Sequence, residues 1–304
     1  MQDQIRAKAA YWKQRSKQRA IKECDSNTAF HHAQATQRLR TNYIRMVRVD
    51  GQEVISHDGK IAAMTDFFKS IIGVPGVSVP SNLLHIYGDT TTPSTSITAP
   101  FTEQETKSAM LSMNVNSALG PDGFGPAFYR AAWQTVKVQV MNFMSAFHGG
   151  QISLDPINRS HMVLIPKKPA AVDVDSFRPI CLQNCSLKIL SKVLTKRLQG
   201  EIPKLININQ TCFIKRRSIS DTFVYALELL QVCHKRKKPA IVLKLDFAKA
   251  FDTVNWDGLF SILSTRGFTD KWIQWISSLL TSSKSAVLVN GCPGPWITCK
   301  RGLR

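Results

Sequence analysis

Apolar and polar positions along the chain alternate between two periods, and the switches between them mark the elements. Residues 44–49 and Val54-Ile55 flank Asp50-Gly51, which predicts a small hairpin within 48–60, and a helix is predicted over 62–72. Residues 73–100 are rich in Gly, Pro, Ser and Thr, ending in a Thr/Ser run at 90–96 that predicts a boundary loop. Thr102 with Glu105 forms a capping box that opens a helix through Met110 and Met113. A tight turn is expected at 120–124, before Phe128, Tyr129 and Trp133. A strand over 161–165 stops at Pro166, and the run 177–182 precedes a helix carrying Leu187, Leu190, Leu194 and Leu198. A helix over 221–233 places Val224, Leu227 and Leu230 on one face, and the basic run 234–238 reads as a solvated turn. Ile241, Val242 and Leu243, behind the break at Pro239, read as a buried strand. Asn255 or Thr253 caps a helix that stops at Gly267, and Thr269 caps another with Trp272, Trp275, Ile276 and Leu279 spaced for packing. Residues 285–289 and 296–298 predict a hairpin around Asn290-Gly291. The fold class is α+β.

Composition narrows the function classes. With 43% hydrophobic residues in 304, the chain buries a sizeable core, which excludes wholesale disorder. No apolar run approaches the ~20 residues that cross a bilayer, so an intracellular protein of nucleus or cytoplasm, neither secreted nor transmembrane, is expected. Forty Lys and Arg against 21 Asp and Glu leave a net charge of +19 and point to a polyanionic partner, nucleic acid before membrane. Seven cysteines without a C-x-x-C or zinc-finger spacing are expected to be reduced and mostly buried. His31 and His32, about 100° apart on a helix, do not share an ion.

Three segments follow: a basic helical linker region (1–48), a hairpin, helix and boundary loop (49–101), and the main unit (102–304). In the first, Arg15, Lys17, Arg19, Arg38 and Arg40 interleave with Tyr11, Trp12 and Tyr43. That mixture suits phosphate contact with base stacking, and equally a solvated helix whose aromatics dock on a neighbour.

Asp246 is the residue of greatest chemical interest. A carboxylate at the end of a buried strand costs several kcal/mol to desolvate unless a cation, a metal or backbone N–H groups hold it. Pairing with Lys244 or Lys249 serves that need, and so does a catalytic metal.

The stretch LDFAKAFDTVNWDGL, from Leu245 to Leu259, resembles the first catalytic motif of reverse transcriptases in the form seen in LINE-type (non-LTR) retrotransposons, most closely plant ones. In order along the chain, Gly120-Pro121-Asp122-Gly123, Leu164-Ile165-Pro166-Lys167, Arg178-Pro179-Ile180, Gln210 with Phe213, and Gly302-Leu303-Arg304 resemble further motifs of that family. Cys24 to His32 is similar to a run in the linker that precedes its polymerase domain, with Cys24 and His31 departing from the pattern. Ser117, Leu119, Lys215 and Arg216 also depart from it, and Arg216 stands where a glycine serves a positive φ.

The resemblance implies an RNA-directed DNA polymerase with fingers and a partial palm. It implies Asp246 as a catalytic, metal-binding aspartate, Phe251 as the steric gate against the ribose 2′-OH, and Lys167 and Arg178 as dNTP triphosphate contacts. Asp252 is expected to hold the strand-to-helix turn. The implied cofactor is Mg²⁺, because in-line displacement at phosphorus develops charge that two such ions neutralise. The implied partners are an RNA template with a DNA primer, or an RNA–DNA hybrid, and dNTP, with Gln210 and Arg217 added to the nucleic-acid contacts. The sequence stops inside the motif begun by Arg301-Gly302, and the family's Y/F-x-D-D carboxylates have no counterpart, so a fragment inactive by itself is expected. The alternatives are a non-catalytic basic nucleic-acid-binding remnant and a product that does not fold stably.

Overall fold

A computed structural model describes residues 28–77 and 92–303. Arg15, Lys17 and Arg19 lie outside the described residues, as do Tyr11, Trp12, Cys24 and Thr90.

The elements follow local chemistry closely. Helix α1 (Thr28–Asn42) leads into the hairpin of β1 (Val47–Val49) and β2 (Gln52–Val54), whose turn uses Asp50 at φ +48° and Gly51 at φ +82°. Positive φ at both central residues is the type I′ geometry that matches strand twist. Helix α2 (His57–Ile72) starts five residues before its expected first residue, because the Ser56 side chain accepts from the Gly59 N–H and caps the end there. The capping box at Thr102 opens α3 (Glu103–Leu111), which stops short of Met113. Two helices follow, α4 (Pro126–Ala131) and α5 (Trp133–His148).

Strands β3 (Arg159–Pro166) and β4 (Phe177–Gln183) form the hairpin, and α6 (Cys185–Leu205) carries the leucine stripe into the core. Beyond α7 (Ile219–Lys235), Asn255 rather than Thr253 caps α8 (Trp256–Thr265), accepting from Gly258 N–H at 2.8 Å. Helix α9 (Asp270–Thr281) buries Trp272 and Trp275, so the tryptophans pack as their spacing predicts. The last hairpin, β5 (Lys284–Val289) and β6 (Cys292–Thr298), turns on Asn290 and Gly291, both at positive φ.

Two layers organise these pieces. The main sheet has strand order β4-β3-β5-β6, with β3 antiparallel to β4 and parallel to β5. One face, bearing Met162, Leu164, Val287, Val289 and Ile297, is buried with Met64, Phe68, Ile71 and Ile72 of α2. Residues on both sides of the expected boundary loop therefore share one core. The second core is helical: Met144 and Phe147 of α5, Leu187, Leu190 and Leu194 of α6, and Trp272 and Trp275 of α9.

The seam between these layers is polar and buried. Asn158 donates through Nδ2 to Leu279 O at 2.7 Å and to Ser282 Oγ at 2.8 Å, and the Ser160 and Ser285 hydroxyls meet at 2.9 Å. Asn184, at the β4–α6 junction, donates to Ile157 O and accepts from the Asp122 N–H. A Cβ on Gly120 would lie 2.5 Å from the backbone at Gln183 and Asn184, so the Gly-Pro-Asp-Gly turn needs its first glycine to dock there.

Six cysteines are free among the described residues, with Cys185 and Cys299 buried, Cys292 exposed and Cys181, Cys212 and Cys233 half-buried. Burial pushes the Cys185 thiol up to about 11, which makes it a poor nucleophile.

Arg197 ties the segment before α3 to α6. Its guanidinium binds both Glu105 oxygens and the carbonyls of Ile97, Ala99 and Pro100, and lies 4.4 Å from the Phe101 ring centroid. Truncation leaves a half-buried carboxylate and three carbonyls without this partner. Arg197→Ala is expected to lower stability by about 2–3 kcal/mol in urea unfolding, with Arg197→Lys intermediate because lysine lacks the planar fork.

Candidate functional site

The β3–β4 register decides where the two hairpin cations go. Ile165 pairs with Arg178 and Pro166 with Phe177, while the Lys167 N–H donates to Ser176 O at 2.9 Å. Alternation along each strand then puts Lys167 and Arg178 diagonally adjacent on one face. Both are exposed, and Lys167 Nζ donates to Asp175 O at 2.6 Å.

The motif stretch departs from its expected form. Residues 238–247 form no strand, and among the described residues none pairs with them; Ile241 is 96% exposed, and Val242 and Leu243 are exposed too. A buried strand needs a ladder partner for every backbone N–H and C=O, and without one the segment stays solvated. Asp246 is accordingly exposed, not held at a buried strand end. The preceding helix α7 likewise forms as predicted but leaves Val224, Leu227 and Leu230 in solvent.

Order returns at Lys249, which adopts φ +51° to close a turn and lies 4.5 Å from the Phe67 ring centroid. The end of the chain then straps the motif down. Leu303 N–H donates to Phe251 O, Gly302 N–H to Val254 O, and Trp256 Nε1 to Gly302 O at 2.8 Å. Gly302 has φ +84°, and a Cβ there would meet Asp252 O at 2.5 Å, so this contact requires glycine. Arg301 donates through Nε to Ile71 O and through Nη2 to Ser70 O, placing a cation on the carbonyl end of α2. Residues 301–303 thus join α2 to the motif loop.

Within this loop Asp252 is the carboxylate that feels the charge of Lys167. Its carboxyl is raised above the usual range by desolvation, a rise opposed by the charges of Lys249 and Lys167. Nothing in the sequence pairs Asp252 with Lys167, because the 84 positions between them carry no signal of that proximity. Phe251 is 59% exposed and meets Phe213 edge-on at 5.8 Å between centroids.

The remaining candidates divide. Arg217 staples its own loop, donating to the carbonyls of Ile206, Asn207 and Gln210, and Gln210 is exposed. Arg216 adopts φ +69°, the left-handed conformation expected of a glycine at that place. On α1, Arg40 is exposed and Arg38 half-buried.

Mg²⁺ takes rigidly held oxygen ligands, and a two-ion site needs several carboxylates. Among the described residues no group of three or more His, Cys, Asp or Glu gathers. Asp246 with Asp252, the latter beside two lysines, does not make up that ligand set. Among the described residues no helix is long and apolar enough to cross a membrane.

This sheet-and-helix arrangement is consistent with reverse transcriptase fingers and palm, and residues 165–304 match the family model described as reverse transcriptase (RNA-dependent DNA polymerase). Among individual proteins, the chain is 26% identical over 206 residues to the transposon TX1 uncharacterized 149 kDa protein of Xenopus laevis, covering 67% of this chain and 16% of that one. It is 26% identical over 189 residues to the retrovirus-related Pol polyprotein from type-1 retrotransposable element R2 of Nasonia vitripennis, covering 62% and 18%. The type-2 element R2DM polyprotein of Drosophila melanogaster matches at 23% over 203 residues, covering 67% and 18%. The chain therefore spans less than a fifth of each of these relatives.

The raised Asp252 carboxyl has a consequence for stability. Its native state holds the proton more tightly than the unfolded chain, so ionisation costs stability as pH rises from the ordinary carboxylate range through the raised native value. Asp252→Asn is expected to unfold at higher temperature than the parent at pH 7, with the gain vanishing in acid, where both states carry a neutral side chain. Melting curves across pH check this; a loss of stability at pH 7 would mean that the lysines hold the carboxylate in its charged form.

Proposed function

We propose that the chain is the fingers and first palm segment of an RNA-directed DNA polymerase from a LINE-type retrotransposon, of the plant-like form carried by LDFAKAFDTVNWDGL. Lys167 and Arg178 grip the triphosphate of an incoming dNTP, Phe251 bears on the ribose, and Asp246 is one carboxylate of a Mg²⁺ set that the described residues leave short. An RNA template with a DNA primer is the polymeric substrate. Arg15, Lys17, Arg19, Arg38, Arg40, Gln210 and Arg217 are assigned to nucleic acid, Arg217 through the loop it holds. By themselves the 304 residues do not extend a primer.

One observation carries this reading. The β3–β4 register puts a point charge and a planar fork side by side on one face, with Lys167 close enough to the motif loop to act on the charge of Asp252. Such a pair suits phosphate oxygens better than a single cation does. A second reading, a non-catalytic nucleic-acid-binding remnant in the nucleus or cytoplasm, draws support from the solvent exposure of residues 241–247.

Titration of the 304-residue chain with dTTP, with and without Mg²⁺, separates the two. The polymerase reading expects saturable binding that Lys167→Ala and Arg178→Ala each weaken about tenfold or more, one charge-assisted contact being worth roughly 1.5–3 kcal/mol. No binding, or binding that neither substitution alters, favours the remnant.

A further inference from the structure

The face of the sheet turned away from α2 carries a feature that the nucleotide reading does not use. Alternation places Arg159, His161, Val163 and Ile165 of β3 on this face, with Arg178 and Ile180 of β4, Lys284 and Ala286 of β5, and Trp296 of β6. His161 pairs with Ala286, and Ala286 with Trp296. The small alanine between them lets two rings reach across β5. The His161 imidazole and Trp296 indole stack at 5.8 Å and 16°, and the Arg159 guanidinium lies 5.5 Å from the Trp296 ring centroid. Trp296 nevertheless remains 41% exposed.

We propose that Arg159, His161 and Trp296 form a base-stacking platform for a single-stranded nucleic acid. An exposed aromatic face beside a guanidinium offers the two contacts that single strands use, stacking under a base and charge near its phosphate. The charge pattern selects the same occupant. The four strands β3 to β6 contain no Asp or Glu, while Arg159, Arg178 and Lys284 share this face, so the field there favours a polyanion. His161 lies six residues from Lys167 and four from Ile165, the partner of Arg178, about 20 Å and about 13 Å along β3 at strand rise, so the platform is offset from both triphosphate contacts. A strand crossing the sheet from one to the other would span several nucleotides. The proposal rests on the chain's handling of nucleic acid, but not on its binding of dNTP. The same stack also contributes to holding β6 on the sheet, as cross-strand aromatic pairs do. The test therefore reads binding and folding separately.

The probe is a fluorescein-labelled oligouridylate about 16 nucleotides long, near the upper end of single-strand site sizes, followed by anisotropy with the full chain. Trp296→Ala is expected to weaken binding about tenfold, the loss of one stacked base, whereas Trp296→Phe stays within about threefold of the parent. Arg159→Gln is expected to lower the slope of log affinity against log salt by about 0.7, one phosphate contact fewer. Melting temperatures of each variant report folding; should Trp296→Ala melt early, Arg159→Gln and Trp296→Phe carry the test. Lys69→Ala, exposed on α2 behind the sheet, serves as control and leaves oligouridylate binding within about twofold; the dTTP titration is run on the same proteins, so failure of the nucleotide reading and failure of the platform give different patterns. The proposal is overturned if folded Trp296→Ala binds as the parent does, if a blunt RNA duplex binds equally and loses equally in that variant, or if the parent shows no salt-dependent binding at all.

Discussion

The parallel pairing of β3 with β5 is the constraint on which the rest of the structure depends. It joins segments more than 120 positions apart, Arg159 opposite Lys284 and Val163 opposite Leu288, and a parallel pair needs a long crossover. Asn158 and the Ser160–Ser285 hydroxyl contact fix its register from within the protein, where an unsatisfied polar group would cost about 1–3 kcal/mol. With that seam set, β4 and β6 have edges on which to pair, and α2 has an apolar face to cover. A one-residue slip of β3 against β5 would turn Met162 and Leu164 into solvent and bring Arg159 and His161 into the core.

The same seam explains why the candidate site is only partly assembled. The hairpin cations belong to strands fixed by it, and the last residues bind the loop at Phe251 and Val254 from the other side. Between these supports, residues 238–247 have no ladder among the described residues and remain in solvent with α7. Arg178 thus sits on a paired strand and Lys167 at the end of one, while Asp246 sits on a segment without a ladder.

Local chemistry made most of the fold legible. Thr102 with Glu105, Asn255 and Thr269 each satisfy backbone groups three residues away, and Asp50-Gly51 and Asn290-Gly291 supply the positive φ of their own turns, so these signals survive any tertiary arrangement. Arg216 at a glycine-like φ is legible for the same reason. Three things were not. Ile241 to Leu243 have the composition of a buried strand, but burial is decided by a partner that composition does not reveal. Asp252 beside Lys167, and His161 on Trp296, are products of long-range register, which no spacing along the chain encodes. Arg217 showed its charge but not that the charge is directed at its own loop.

Amide hydrogen exchange resolved along the chain tests this account most directly. It predicts that amides of 240–247 exchange close to the rate of an unstructured peptide while those of β3 and β5 are protected at the level of global unfolding. Protection of 240–247 comparable to that of β3 would contradict it, since that segment would then be a paired strand and Asp246 would stand on a rigid element.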